Sequence, residues 1–112
     1  KYQSLSNLDY LPSFRLVDML ATAINTVGSL NAYKIATTLE GLHYAGPSGD
    51  SWIRPEDHQM MVPIYLLSFV KAGQPGANLD EEGTGYGWKT ELLLAAKDTA
   101  PAIKCKMERP SR

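Results

Sequence analysis

The chain has 112 residues, of which 44% are apolar, and its 11 basic residues nearly balance its 12 acidic ones. This length and apolar content indicate one modest globular domain, residues 1–112, rather than a disordered chain. The near-neutral charge lacks the electrostatic attraction that nucleic acids and anionic membranes require, so no nucleic-acid partner is expected.

The cysteine and histidine content argues against a disulfide and a metal centre. Cys105 is the one cysteine, so an internal disulfide has no second partner. His43 and His58 come without a carboxylate at ligand spacing, and we expect neither a metal site nor a cofactor. The chain begins at Lys1 without a basic-then-apolar leader, which predicts that a targeting segment or a longer N-terminal portion has been removed.

Two helices are predicted near the start of the chain. In "PSFRLVDMLATAINTVG" apolar residues recur at three- and four-residue spacing, which predicts a helix over about 13–27 that stops at Gly28. Asn31 is a suitable N-cap for a second helix over about 31–40. The apolar face expected on the first helix consists of Val17, Leu20, Ala21, Ile24 and Val27.

Strands are predicted after the second helix. The turn-forming stretch "AGPSGD" predicts a hairpin between two short strands. Pro63 predicts an edge position or a bulge in the longest strand, because proline cannot donate a ladder hydrogen bond. A glycine-rich, mobile loop is expected over 72–87 and an irregular tail over 97–112. The expected strands cover about 42–45, 51–54, 58–71 and 88–96.

The expected fold class is α/β, with two helices followed by about four strands. Such a unit has little apolar surface to spare and needs a further layer to cover its sheet. If the chain exists alone, we expect it to pair with itself. The residues expected at that surface are Met60, Met61, Leu66 and Leu67.

The stretch "RPEDHQMMVPIY", residues 54–65, sets an acid, an imidazole and an amide ahead of an apolar run. Neighbouring residues of a strand point to opposite faces, so Asp57 and His58 are not expected to form a relay pair. No serine lies in a nucleophile-elbow pattern, and Cys105 lies in a polar tail, so we expect no enzymatic activity. Asp57, His58 and Gln59 are assigned a structural role, hydrogen bonding at the start of a strand, with ligand contact as the alternative.

Aromatic residues surround the expected start of the first helix. Tyr2, Tyr10 and Phe14 lie near backbone N–H groups and the positive end of the helix dipole, a setting that favours a carboxylate ligand. The interpretation that we prefer from these residues alone is that the aromatics pack the helix start onto the core, with a ligand contact as the alternative.

The ordered combination of segments resembles the C-terminal third of type I periplasmic binding proteins, the branched-chain amino-acid receptor family of ABC importers. The segments that carry the resemblance are "VDMLATAINTVGSLN", "TTLEGL" and "GPSGDSWIRPEDHQMMVPIY". The tail "CKMERP" is similar to the way some members end. The likeness covers Pro12 to Val70, slightly more than half of the chain, and Val17 stands where tyrosine is common.

The resemblance implies a C-terminal fragment of a two-lobed α/β protein, which supplies late elements of one lobe and the final crossover. It implies a periplasmic, non-enzymatic component that closes on an amino acid or small carboxylate and is recognised by an ABC permease. The segment before the first helix would face the cleft, so Tyr10, Ser13 and Phe14 are the candidate ligand-binding residues. The alternative is a self-associating ligand-sensing or interaction module, a homodimer that exchanges strands through Met60–Val70.

Overall fold

The computed structural model describes residues 10–109. The mixed helix-and-strand class expected from the sequence is confirmed. The described part contains one strand more than expected, and a one-turn helix lies where an irregular tail was expected to begin. The elements are α1 Tyr10–Val27, α2 Ala32–Leu39, β1 His43–Gly46, β2 Gly49–Ile53, β3 Met60–Met61, β4 Ile64–Lys71, β5 Tyr86–Leu94 and α3 Ala96–Thr99.

The two long helices end and begin at residues that suit those positions. Gly28 adopts a left-handed φ of 58°, and its N–H donates to the carbonyl of Ile24 at 2.8 Å, which closes α1. Asn31 is extended, and its Oδ1 accepts from the backbone N–H of Lys34 at 3.1 Å. The N-cap predicted for α2 is therefore confirmed. α1 begins at Tyr10, three residues before the expected start.

The side of α1 that packs against the body coincides only in part with the apolar face predicted. Met19 and Ala23 are buried, whereas Val17 is 69% exposed and Leu20 is also exposed. α1 carries apolar residues around most of its circumference, and spacing alone does not select which side meets α2 and β1. Ile24 and Val27 of the predicted face are half-buried and Ala21 is exposed, so the prediction agrees with the structure only toward the end of the helix.

The first sheet is antiparallel in the order β1-β2-β3. Gly46 lies opposite Gly49, so β1 and β2 are joined by the two-residue loop Pro47-Ser48, and the predicted hairpin is confirmed. Gly49 has a φ of 89°, a conformation that a residue with a Cβ adopts only at a cost. β3 adds two residues to the sheet through its pairing with β2.

The single strand expected over 58–71 is wrong, because it is two strands in two different sheets. β3 ends at Met61, β4 begins at Ile64, and Pro63 lies between them. Proline has no N–H to donate, so the ladder stops there and the chain passes into the second sheet. That sheet is the antiparallel pair β4-β5, with a register shift between Leu66 and Leu67.

The connection from β4 to β5, expected to be a mobile loop, is held by its own backbone. The N–H of Gly73 donates to the carbonyl of Ala77 at 2.9 Å, and the N–H of Glu81 donates to that of Tyr86 at 2.7 Å. The loop folds over β5, so that the Leu79 carbonyl lies where a Cβ at Gly87 would be. Ala77 is buried beneath it.

The described part of the molecule is elongated and has a small core. Its radius of gyration is 17.4 Å, against about 13 Å for a compact domain of this length. Met61, expected at a self-pairing surface, is 3% exposed and belongs to the core. None of the helices between residues 10 and 109 has the length and apolarity needed to cross a bilayer. The buried apolar residues are Met19, Ala23, Met61, Ala77 and Ala96.

Candidate functional site

The first turn of α1 presents two of the three predicted ligand-binding residues to the surface. Phe14 is 68% exposed and Ser13 is exposed as well. The packing onto the core that we preferred from these residues alone is therefore wrong for Phe14. Tyr2 and the side chain of Tyr10 lie outside the described residues.

Arg15, which the sequence reasoning missed, ties this turn to the first sheet. Its Nη1 donates to Oγ of Ser51 at 3.0 Å, and Ser51 in β2 is fully buried. The Nε of Arg15 is buried and has no acceptor among residues 10–109. The sequence signal that could have identified Arg15 is its position: it is a charged residue one turn before Met19, on the side of the helix that packs. The contact holds the start of α1 in a fixed position on β2.

Residues 54–59 form a closed turn rather than the start of a strand. The N–H of Arg54 donates to the carbonyl of Gln59, and the N–H of His58 donates to the carbonyl of Arg54, both at 2.9 Å. The expectation that Asp57 and His58 alternate across a strand is wrong, because β3 begins only at Met60.

Arg54 organises this turn through its side chain. The buried guanidinium donates Nε to Asp57 Oδ1 at 2.9 Å and Nη2 to Asp57 Oδ2 at 2.6 Å. Nη2 also donates to Oε1 of Gln59 at 3.0 Å. The hydrogen bonds between the two side chains, and to a smaller extent their opposite charges, lower the pKa of Asp57 and raise that of Arg54. The arginine was not singled out in the sequence, although its three-residue spacing to Asp57 was visible.

His58 has a different partner from its neighbours. Its Nε2 lies 2.8 Å from Oε1 of Glu40, the residue after α2. Asp57 and His58 therefore form no relay pair: Asp57 and Gln59 both bind Arg54, whereas His58 contacts Glu40. The structural role assigned to Asp57, His58 and Gln59 stays a prediction.

The two histidines are not brought together. Nδ1 of His43 lies 3.0 Å from Oδ2 of Asp50, and its ring stacks on Trp52 with centroids 5.4 Å apart. Between residues 10 and 109 the chain holds no group of three His, Cys, Asp or Glu side chains that would bind a metal. A cavity of about 220 Å³ lies beside this hairpin, lined in part by Asp50, Trp52 and Lys97.

Comparisons with known proteins identify what this arrangement is part of. No family model matches the chain. The Leu/Ile/Val-binding protein homolog 4 of Brucella abortus is 27% identical over 85 residues, which cover 74% of this chain and 20% of that protein. The leucine-, isoleucine-, valine-, threonine- and alanine-binding protein of Brucella ovis, solved in a closed conformation, is 25% identical with a TM-score of 0.67. That match covers 84% of this chain and 25% of the solved chain.

The chain shares part of the fold of the type I periplasmic binding proteins. The resemblance seen in the sequence is thereby confirmed. A solved ABC-type branched-chain amino acid transporter protein from Rhodopseudomonas palustris shows the same fold at 21% identity, with a TM-score of 0.59 over 80% of this chain and 22% of that one. The chain spans about a fifth to a quarter of the length of these relatives.

The two regions described above belong to different parts of the chain. α1 with its exposed first turn lies at one end of the described elements, and the 54–59 turn lies between β2 and β3. The ligand-binding assignment of Tyr10, Ser13 and Phe14 stays a prediction within this fold.

Proposed function

We propose that the chain is part of the substrate-binding component of an ABC importer for amino acids or related small carboxylates. The observation that carries the proposal is the structural match, with a TM-score of 0.67, to a protein named for binding leucine, isoleucine, valine, threonine and alanine. Relatives named as binding proteins support a non-enzymatic role. The relatives also support a periplasmic location.

The exposed apolar faces support a place within a larger two-lobed protein. Large apolar side chains are exposed along α1 and on β4 and β5, well beyond the scattered single residues usual on a stable monomer. A further layer of lobe structure would bury them. Apart from Phe14, which is considered separately below, the most exposed on these elements are Leu16, Val17, Ile64, Leu66 and Leu93.

The start of α1 is the part of this chain proposed to face the ligand. The N–H groups of the first turn and the helix dipole favour a carboxylate, which every amino acid carries. The exposed ring of Phe14 supplies an apolar surface for the ligand side chain, and the hydroxyl of Ser13 a polar one. Tyr10 begins the helix and completes the proposed set. The Arg15–Ser51 contact fixes this turn against β2.

Binding is proposed to proceed by lobe closure. A ligand that contacts both lobes better in the shut form shifts the population toward that form. The closed form is the state that an ABC permease would recognise. Residues 10–109 supply one side of the cleft in this scheme.

The test compares Phe14→Ala with Leu16→Ala in the intact protein by calorimetry with branched-chain and aromatic amino acids. Both residues are exposed on α1, but they face different sides of the helix. Loss of an aromatic contact of about 1–2 kcal/mol weakens ligand affinity about tenfold in Phe14→Ala. Leu16→Ala leaves affinity unchanged. Equal affinities for Phe14→Ala and the unsubstituted protein contradict the assignment of Phe14.

The alternative is a self-associating module, a dimer that exchanges strands through Met60–Val70. The observation that favours it is the second sheet: β4 and β5 pair only with each other within the described part, so each leaves an outer edge unpaired. Unpaired edges with exposed apolar residues such as Leu66 promote strand pairing between chains. The burial of Met61 removes one of the side chains expected at that surface.

A further inference from the structure

Residues 101–109, here called the strap, have an irregular conformation and are held at both ends. At the inner end, Nη1 of Arg54 donates to the carbonyl of Pro101 at 2.6 Å. Arg54 is buried, and Asp57 and Gln59 fix its orientation. Just before the strap, Oγ1 of Thr99 donates to the carbonyl of Val62 at 3.1 Å, which adds a second bond at this end.

At the outer end, Arg109 bridges two elements. Its Nη1 donates to Oε1 of Glu40, and its Nη2 donates to the carbonyl of Pro55 at 2.7 Å. The same Glu40 oxygen lies 2.8 Å from Nε2 of His58. The outer anchor thus joins α2, the 54–59 turn and the strap at one carboxylate.

Between the anchors the strap closes a groove on α2. Met107 is half-buried and lines a cavity of about 230 Å³. The α2 side of that cavity is formed by Tyr33, Ala36 and Thr37. Opening of the outer end would lift Met107 away and expose this groove.

The two anchors differ in exposure. The side chain of Arg54 is 11% exposed, whereas that of Arg109 is 46% exposed. Exposed ion pairs hold a geometry weakly, and local opening begins where contacts are few and solvated. We propose that the strap is a reversible latch whose outer anchor, Arg109 on Glu40 and Pro55, opens while the inner anchor on Arg54 holds.

The surroundings of Glu40 make the outer anchor sensitive to acid. Arg109 on the strap, and then His58 on the turn, lower the pKa of Glu40 below its ordinary 4.5. Tyr33 of α2 and Glu108 of the strap are the other titratable groups that line the cavity. A lowered pKa means that the stabilisation is present above pH 4.5 and is lost as the pH falls through the lower value. The latch therefore opens on acidification.

The first test measures tryptic cleavage after Lys104 and Lys106, both exposed within the strap, in the intact protein under native conditions. Cleavage tracks the population of the open form. Glu40→Gln is expected to raise the cleavage rate at these bonds about two- to fivefold, the change for an ion pair of about 0.5–1 kcal/mol. Glu108→Gln, which removes the same charge from the same cavity without breaking the anchor, leaves the rate unchanged.

Cleavage after Lys89 in β5 serves as the internal reference. An unchanged strap rate in Glu40→Gln, or an equal rise after Lys89, overturns the proposal, since the second result means general destabilisation rather than strap opening.

A second test follows the NMR resonance of the Met107 methyl group from pH 7 to pH 3.5. This resonance is assigned by comparison with Met107→Leu. In the unsubstituted protein and in Glu108→Gln, this resonance is expected to move toward the chemical shift of an exposed methionine, with a midpoint below pH 4.5. In Glu40→Gln it should start displaced toward that chemical shift by the about two- to fivefold larger open population, and it should show no further shift as the pH falls. A resonance that does not move in the unsubstituted protein overturns the acid-sensitive latch.

Discussion

His58 combines a left-handed backbone with a side-chain contact. The backbone conformation costs free energy, and the side-chain contact offsets that cost. Its φ is 56°, a conformation that costs a residue with a Cβ roughly 1–2 kcal/mol. The N–H bond to Arg54 and the imidazole contact to Glu40 hold it there. A residue kept in this conformation between two contacts fixes the path of the turn, which supports its assignment to a structural role.

Two substitutions separate the backbone cost from the side-chain contact. His58→Ala loses the imidazole and keeps the left-handed cost, so its melting temperature falls. His58→Gly loses the same imidazole but removes that cost, and we expect it to be more stable than His58→Ala by about 1 kcal/mol. Thermal denaturation gives the difference, and calorimetry on the intact protein should show unchanged ligand specificity in both. A changed ligand preference with unchanged melting would restore the ligand-contact alternative for His58.

At the scale of elements, the sequence predicts well the features that depend on neighbouring residues and poorly the features that depend on tertiary contacts. Asn31 as an N-cap and the glycine-bounded hairpin depend on neighbouring backbone, and both are confirmed. The buried side of α1 and the division of the long strand at Pro63 depend on which surfaces meet, which no short window encodes. The bond from Arg54 to the carbonyl of Pro101, 47 residues away, could not be predicted for the same reason, whereas its spacing to Asp57 was visible.

The loop between β4 and β5 is expected to depend on the absence of a side chain at Gly87. An added Cβ would overlap the carbonyl oxygen of Leu79, so Gly87→Ala must push the loop off β5 at a cost of about 1–3 kcal/mol. Gly83→Ala is the control, since its Cβ meets no atom within 4 Å and its cost comes from a φ of 75° alone. Thermal denaturation gives the two costs.

Amide exchange distinguishes the two causes. Gly87→Ala should speed exchange at the N–H of Gly73 and of Ala77, which are bonded within the loop, whereas Gly83→Ala should leave both protected. Equal exchange in the two variants would mean that Leu79 does not rest on Gly87.

At the scale of the whole molecule, the shape and the size of the apolar core determine how much of the proposed function this chain can carry without the rest of the protein. The radius of gyration of 17.4 Å and the few buried apolar side chains in the described part indicate a unit that leaves much of its apolar surface in water. The matched segment covers only a fifth to a quarter of each of these relatives. A cleft between two lobes needs both walls, and this chain is proposed to supply part of one.

The isolated 112-residue chain is therefore expected to bind branched-chain and aromatic amino acids weakly or not at all, while the intact protein binds them. A ligand held by one wall lacks the contacts that closure adds. Its dissociation constant is therefore expected to lie well above about 1 μM, the value that corresponds to a binding free energy of about −8 kcal/mol. Calorimetry measures this affinity, and micromolar binding by the isolated chain would contradict the proposed lobe-closure mechanism.

Light scattering on the same sample tests the strand-exchange alternative. That alternative requires a dimer of defined mass that is lost when Leu66→Lys places a charge on β4, and a monodisperse monomer would exclude it.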